Sequence, residues 1–194
     1  METPYDRIAA RWHAAPRPFA ARKYLDLLAE GLPRGARVLD LGCGTGEPVA
    51  RYLLEKGFGV VCVDESAAML DIARRVVPGA EFVLGDMREV SLAGGFAAAV
   101  AWDSVFHVPR ARHRELFRKL AGLLEPRGRL LLSAGGTGAE GFTSEMYGHA
   151  FFYSAHEPAE TLRLLRAEGF RVELCEEDDP SSRGHIAVVA RRAA

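Results

Sequence analysis

From residue 36 onward, short apolar runs alternate with helical stretches, and the last two runs are separated only by "EDDPSSRG", residues 177–184. The apolar runs at 36–41, 59–63, 80–84, 96–101 and 129–134 predict strands. The stretches 47–57, 66–77 and 110–125 predict helices, and 85–95 reads as a loop. Pro48 sits early in the first of these helices, where its missing N–H costs nothing, Ser66 is placed to cap the second, and "EPRG" at 125–128 stops the third. Strands alternating with helices imply parallel strands joined by right-handed crossovers, hence a doubly wound α/β fold. The last third breaks the rule. After a long irregular segment, 135–156, come a helix at 157–168 and strands at 171–177 and 185–191. Eight residues cannot hold a crossover helix, so these last two strands pair antiparallel. Ahead of the first strand, Ile8 and Trp12, then Tyr24, Leu25 and Leu28, recur at helical spacing on either side of "PRP" at 16–18.

At 194 residues the chain is expected to form one domain, 1–194, with a sizeable core. A net charge near −1 gives no bulk attraction to nucleic acid or anionic membrane. The start "METPYDR" has neither the basic nor the apolar region of a secretory signal, and no apolar run approaches the roughly 18 residues of a membrane span. Cys43, Cys62 and Cys175 form no C-x-x-C pair, which predicts free thiols, no metal site and a cytoplasmic location. The chain has no Asn or Gln and carries 22 Arg against 3 Lys, a bias that suits either a thermophile or a GC-rich genome.

The stretch "VLDLGCGTGEP", 38–48, places glycines at 42, 44 and 46 behind a strand. A dinucleotide fingerprint needs G-x-G-x-x-G, and its third glycine position is Glu47 here. Asp40 would also repel a pyrophosphate, whereas a cationic or zwitterionic ligand meets no such objection. Strand 2 ends in "VCVDES", with Asp64 placed 22 residues past Gly42, and strand 3 ends in "FVLGDMRE", with Asp86 another 22 residues on. Asp64 can accept bonds from both hydroxyls of a ribose, and Asp86 one from an adenine amino group. In an open α/β sheet the ligand lies beyond the carboxyl ends of the strands, where these three acids converge. Any one of them alone is equally readable as a helix cap.

Together these segments resemble the class I S-adenosylmethionine-dependent methyltransferases. "VLDLGCGTGEP" is similar to their first motif, "VCVDES" to the second, "LGDMRE" to the third, and "FAAAVAWDSVFHV" to the fourth. The resemblance implies a Rossmann-like seven-stranded sheet, mostly parallel with an antiparallel strand near the C-terminus. It implies S-adenosylmethionine as cofactor and residues 1–33, with "YDRIAARW", as a helical lid that includes Tyr5. Carried onto this chain, it assigns Asp40, Gly42, Cys43, Gly44, Thr45 and Gly46 to the methionine portion, and Asp64, Glu65 and Met69 to the ribose side. Asp86 and Met87 fall to the adenine, and Trp102 and Asp103 flank the methyl group. A sulfonium cofactor without phosphate is compatible with the acidic crevice.

Methyl transfer is an in-line displacement, and a general base is needed only when the acceptor must lose a proton. His107, four residues after Asp103, is a candidate base that Asp103 would orient if the loop turned helically; its alternative is a cap on the next helix. The segment 135–156 reads as a substrate-loop insertion, in which Tyr147 and His149 are expected to face the acceptor; the alternative is cover for a sheet edge or an oligomer contact. "PRARHRELFRK", 109–119, reads as a solvated basic face behind the apolar Leu116 and Leu120. The overall expectation is an enzyme methylating an oxygen or nitrogen of a small molecule, a monomer or a homodimer, with no nucleic-acid or membrane partner. The alternatives are a protein or nucleic-acid methyltransferase, a cofactor-binding module without activity, and, disfavoured by glycine spacing and Asp40, a nicotinamide oxidoreductase.

Overall fold

A computed structural model of the chain describes every residue except 1, 17, 140 and 180–184. Helices α1 (Pro4–Ala14) and α2 (Arg22–Ala29) precede the alternating part. That part runs β1 (Arg37–Leu41), α3 (Val49–Glu55), β2 (Gly59–Asp64), α4 (Ala67–Val76), β3 (Glu81–Leu84) and β4 (Phe96–Ala101), then α5 (His113–Leu123) and β5 (Leu124–Ala134). A two-stranded hairpin, β6 (Phe142–Met146) and β7 (His149–Tyr153), follows, then α6 (Pro158–Ala167), β8 (Phe170–Asp179) and β9 (His185–Arg192).

The seven-stranded sheet has the order β3-β2-β1-β4-β5-β9-β8. All pairs among β1 to β5 are parallel, and β9 runs antiparallel to both β5 and β8. One antiparallel strand in a parallel sheet is the arrangement that the short 177–184 connection predicts, although β8 itself continues through Asp179, and residues 180–184 lie outside the described residues. The strand interiors alternate between two cores, as period-two side chains must. Leu39, Leu41, Val61 and Val63 face α5 and α6, through Leu116, Phe117, Leu120 and Leu165. Val38, Val60, Cys62 and Val100 face α2, α3 and α4, through Leu25, Leu53 and Leu70. The loop after β1 therefore leaves toward one face and the loop after β4 toward the other. The crevice between these two neighbours is the switch point of the sheet.

Three local expectations change. Segment 135–156 is not irregular: it holds the β6–β7 hairpin, whose two-residue turn is Tyr147-Gly148, both at positive φ (54° and 83°). That is the primed geometry a right-twisted hairpin requires. The third helix ends at Leu123, and "EPRG" lies inside β5, with Arg127 at φ 66°. Pro48 occupies the N-cap position of α3, after a cis Glu47–Pro48 bond, rather than its first turn. Ser66 caps α4 as expected, its hydroxyl accepting from Met69 N at 3.1 Å. Among the described residues no helix is long and apolar enough to cross a membrane, and all three cysteines are free thiols.

Candidate active site

The glycine turn is built by backbone. Gly42 N and Cys43 N both donate to Val63 O of β2 at 2.8 and 3.0 Å, folding the chain back over the strand ends. Gly42, Gly44 and Gly46 all have positive φ (81°, 56° and 78°), but their surroundings differ. A Cβ on Gly42 would lie 2.4 Å from Ser104 Cβ, and one on Gly46 2.5 Å from Val77 Cγ2, so these two glycines permit packing. A Cβ on Gly44, which lines the crevice, would meet nothing within 4 Å.

Asp40 lies on the floor of that crevice, 2% exposed, and its Oδ2 has no hydrogen-bond partner among the described residues. Burial, followed by the neighbouring Asp64 charge, pushes its pKa up to about 7. Thr45 Oγ1, in a residue 1% exposed, is likewise without a partner and lines the same crevice. Buried polar atoms are normally satisfied, so two orphans facing one cavity mark where ligand groups belong. A buried carboxyl that a cation would ionise, beside a threonine hydroxyl, fits a cationic, phosphate-free nucleoside and disfavours a pyrophosphate.

Asp64, at the end of β2, is partly committed: Oδ2 accepts from Gly44 N at 2.8 Å and Oδ1 from Ser66 N at 2.9 Å. Each oxygen retains a further lone pair for a ribose hydroxyl. Burial raises the pKa of Asp64 against these backbone bonds, and burial also raises that of Glu65 beside it. Asp86 is held differently from the expectation of a carboxylate offered to adenine. Arg88 grips it through its backbone N, Nε and Nη2, and this pairing lowers the Asp86 pKa. Met87, Met69 and Trp102 line the same crevice, with Trp102 stacked on Tyr24 at 5.5 Å.

Helix α1 roofs the crevice. Its Asp6 carboxylate does two things: Oδ2 closes a capping box with Thr3, and Oδ1 accepts from Ser66 Oγ (2.7 Å) and Ala68 N (3.0 Å) at the start of α4. Tyr5 and Trp12 point into the crevice, and Tyr5 Oη lies 2.8 Å from His107 Nε2. His107 Nδ1 lies 2.8 Å from Phe152 O, which can only accept, so Nδ1 carries the proton and Nε2 accepts from Tyr5. Burial lowers the His107 pKa, in keeping with a neutral imidazole. The expected Asp103–His107 pair does not form: Tyr5 and Phe152 take both ring nitrogens. Tyr147 and His149 line neither this crevice nor the cavity beside it; Tyr147 sits under the Arg11 guanidinium at the hairpin tip.

Asp103 has other partners. It follows β4 at φ 50°, a left-handed conformation in which Asp is tolerated better than most residues. Ser133 of β5, fully buried, fixes it there: Asp103 N donates to Ser133 Oγ (2.7 Å), which donates to Asp103 Oδ1 (3.0 Å). His185 Nε2 stands 3.3 Å from the same Oδ1, while His185 Nδ1 is 2.7 Å from Oδ1 of Asp178, whose side chain is 4% exposed. Carboxylates only accept, so both ring nitrogens donate and His185 is cationic. Burial opposes that charge, but the Asp103 bond and the two carboxylates outweigh it and raise the His185 pKa above its usual value. Neither His185 nor Asp178 stands out in the sequence: both lie in the C-terminal strand pair, far from any motif. Lys119 is also more than a solvated cation; its Nζ donates to the carbonyls of Met87, Arg88 and Val90 and ties down the 85–95 loop.

The comparisons agree with this geometry. Residues 38–128 match the family model described as a methyltransferase domain. The "Putative methyltransferase YqeM" of Bacillus subtilis is 39% identical over 106 residues, covering 52% of this chain and 42% of that protein. The chain thus spans about two fifths of the length of the curated relatives it matches first. Among solved structures, the Burkholderia thailandensis 1,6-didemethyltoxoflavin-N1-methyltransferase, with bound 1,6-didemethyltoxoflavin and S-adenosylhomocysteine, superposes with a TM-score of 0.74. It is 25% identical, over 98% of this chain and 84% of that one. A DhpI–S-adenosylhomocysteine complex shares the fold with a TM-score of 0.79 at 23% identity, over 97% and 93% of the two chains. A domain model matching just under half of the chain, a fold match along nearly all of it and a crevice suited to a cationic nucleoside together support a class I S-adenosylmethionine-dependent methyltransferase.

Proposed function

We propose that this protein transfers a methyl group from S-adenosylmethionine to an oxygen or nitrogen atom of a small molecule. The observation that carries the reading is the roof. Helix α1 is clamped to α4 through Asp6, Tyr5 closes on His107, and Phe151 of β7 packs against Tyr5 with ring centroids 4.8 Å apart. Ser154 N, just past β7, donates to Phe106 O at 2.7 Å and holds the hairpin over the same end. A crevice so covered suits an enclosed small acceptor better than a folded protein or a duplex.

When bound, S-adenosylmethionine supplies an activated methyl group on a sulfonium. The chain's part is alignment, a contribution of roughly 7–11 kcal/mol in well-oriented reactions. Residues 42–46 would cradle the methionine portion, with Asp40 and Thr45 meeting its polar groups. Asp64 would take the ribose hydroxyls. Met87 and the backbone of 85–87 would meet the adenine, with Asp86 reachable only alongside Arg88. Trp102 and Asp103 would stand beside the methyl group. With both its nitrogens engaged, His107 serves as a latch for the roof rather than as the base.

Calorimetric titration with S-adenosylhomocysteine and with NAD tests the cofactor, and a panel of small amines, phenols and carboxylates with S-adenosylmethionine tests the transfer. Binding of the homocysteine analogue together with turnover of a small acceptor is expected. Binding without any turnover would leave a non-catalytic module, and NAD binding in its place would overturn the reading.

A further inference from the structure

A second cavity, of about 440 Å³, opens off the cofactor crevice and shares Trp102 and Asp103 with it. The volume suits a small ligand. Its walls are aromatic: Trp102, Phe106 and Tyr153 line it, with Phe106 and Tyr153 tilted face to face at 5.5 Å. Its polar side is the Asp103–His185–Asp178 chain. Two carboxylates and one imidazolium leave that chain with a net charge of −1. Asp103 is its exposed end, with 53% of the side chain accessible and Oδ1 already bonded to Ser133 and His185. Asp103 lines both cavities and so stands at the seam between them. The described residues lining the second cavity include no Lys or Arg.

Resting on the methyltransferase reading above, we propose that this cavity is the acceptor site and that it takes an arylalkyl amine, its aromatic part against Trp102 and the Phe106–Tyr153 pair and its nitrogen on Asp103. Ring faces and a carboxylate both attract an ammonium and both repel an acid of the same shape. Asp103 also suits the charge movement of N-methylation. The ammonium first loses a proton to water. The nitrogen lone pair then forms the N–C bond while the C–S pair stays with sulfur, so the positive charge passes from sulfur to nitrogen. A fixed carboxylate at the seam faces that charge at both ends of the path. Ser133 and His185 are positioning residues: they hold Asp103 in its left-handed conformation.

The test uses binding rather than turnover. Phenethylamine and 3-phenylpropionate share a ring and a two-carbon chain and differ in charge. Each is titrated by ligand-observed NMR into protein saturated with S-adenosylhomocysteine. The amine should bind at least about tenfold more tightly than the acid. Asp103→Asn, which tolerates the same backbone conformation, should abolish that preference while the circular dichroism and melting curve stay those of a folded protein. Asp178→Asn, which removes a charge at the far end of the chain that holds Asp103, should weaken it several-fold. Equal binding of the two probes, tighter binding of the acid, no binding of either, or an amine preference that survives Asp103→Asn would overturn the proposal. S-adenosylhomocysteine failing to bind would instead bring down the parent reading, and the acceptor assignment with it.

Discussion

Asp40 and Gly44 show how much one position can carry. Asp40 keeps a proton in the folded protein, up to about pH 7, that an unfolded chain releases near pH 4. Folding therefore binds a proton in that window, and the contribution of Asp40 to stability falls as pH rises through it. A cationic ligand reverses the preference by favouring the carboxylate. Titration with S-adenosylmethionine near pH 6.5 is accordingly expected to release a proton, and affinity to rise with pH through about 7; Asp40→Asn should lose both effects, as calorimetry in buffers of different ionisation enthalpy will show. The glycines separate packing from binding. Gly44→Ala adds a methyl that meets nothing within 4 Å, at the cost of a strained φ, about 1–2 kcal/mol. It should lower the melting point by only a few degrees yet weaken S-adenosylhomocysteine binding tenfold or more. Gly42→Ala, driven into Ser104, should impair folding first. The glycine turn and the acids at the strand ends are legible in the sequence because each sits at a fixed offset from a strand. What each carboxylate is bonded to is not legible: Asp86 is taken by Arg88, two residues away, and Asp103 by a serine thirty residues on.

At the scale of elements, the roof and the strand pair β8–β9 make distinct predictions. Asp6 ties α1 to α4; burial works against its charge, but bonds from Ala68, Ser66 and Thr3 hold its pKa down at about 2. Its support is present above the unfolded value near 4 and is lost as pH falls through about 2. Asp6→Ala removes this tie. Hydrogen exchange in residues 4–14 should accelerate, S-adenosylhomocysteine should dissociate faster, and the melting point should fall by a few degrees. At the other end of the sheet, His185→Ala leaves the Asp178 carboxylate buried without its partner. Loss of one member of a buried pair costs on the order of 3–5 kcal/mol, so a clear drop in urea stability is expected. In the parent protein the raised His185 pKa adds stability that is full below about pH 6.5 and is lost as pH climbs through the folded value. The hairpin β6–β7 escapes the sequence for a physical reason. Its turn is Tyr-Gly, and a tyrosine at positive φ is not the Asn-Gly or Asp-Gly signal that announces a primed turn. Helix α1 does carry a sign, the Thr3-x-x-Asp6 capping box, but nothing in that box says that Asp6 will also cap a helix sixty residues away.

At the scale of the whole molecule, period and order determine the fold, and closure determines the chemistry. Alternating strand and helix patterns, with a connection too short for a crossover, suffice for a parallel sheet ending in one antiparallel strand. Chirality and chain length leave few other ways to join them. Acids at three successive strand ends meet along one edge, because parallel strands bring their carboxyl ends together. These are local or periodic properties, and the sequence by itself determined them. The tertiary structure alone decided what stands opposite. It brings His185 and Asp178 from the last two strands onto Asp103, Tyr5 from the first helix onto His107, and leaves Tyr147 and His149 at the hairpin tip. Such contacts span about 80 to 100 residues of chain and depend on how helices and a hairpin close over a finished sheet, a geometry that no spacing within a motif encodes.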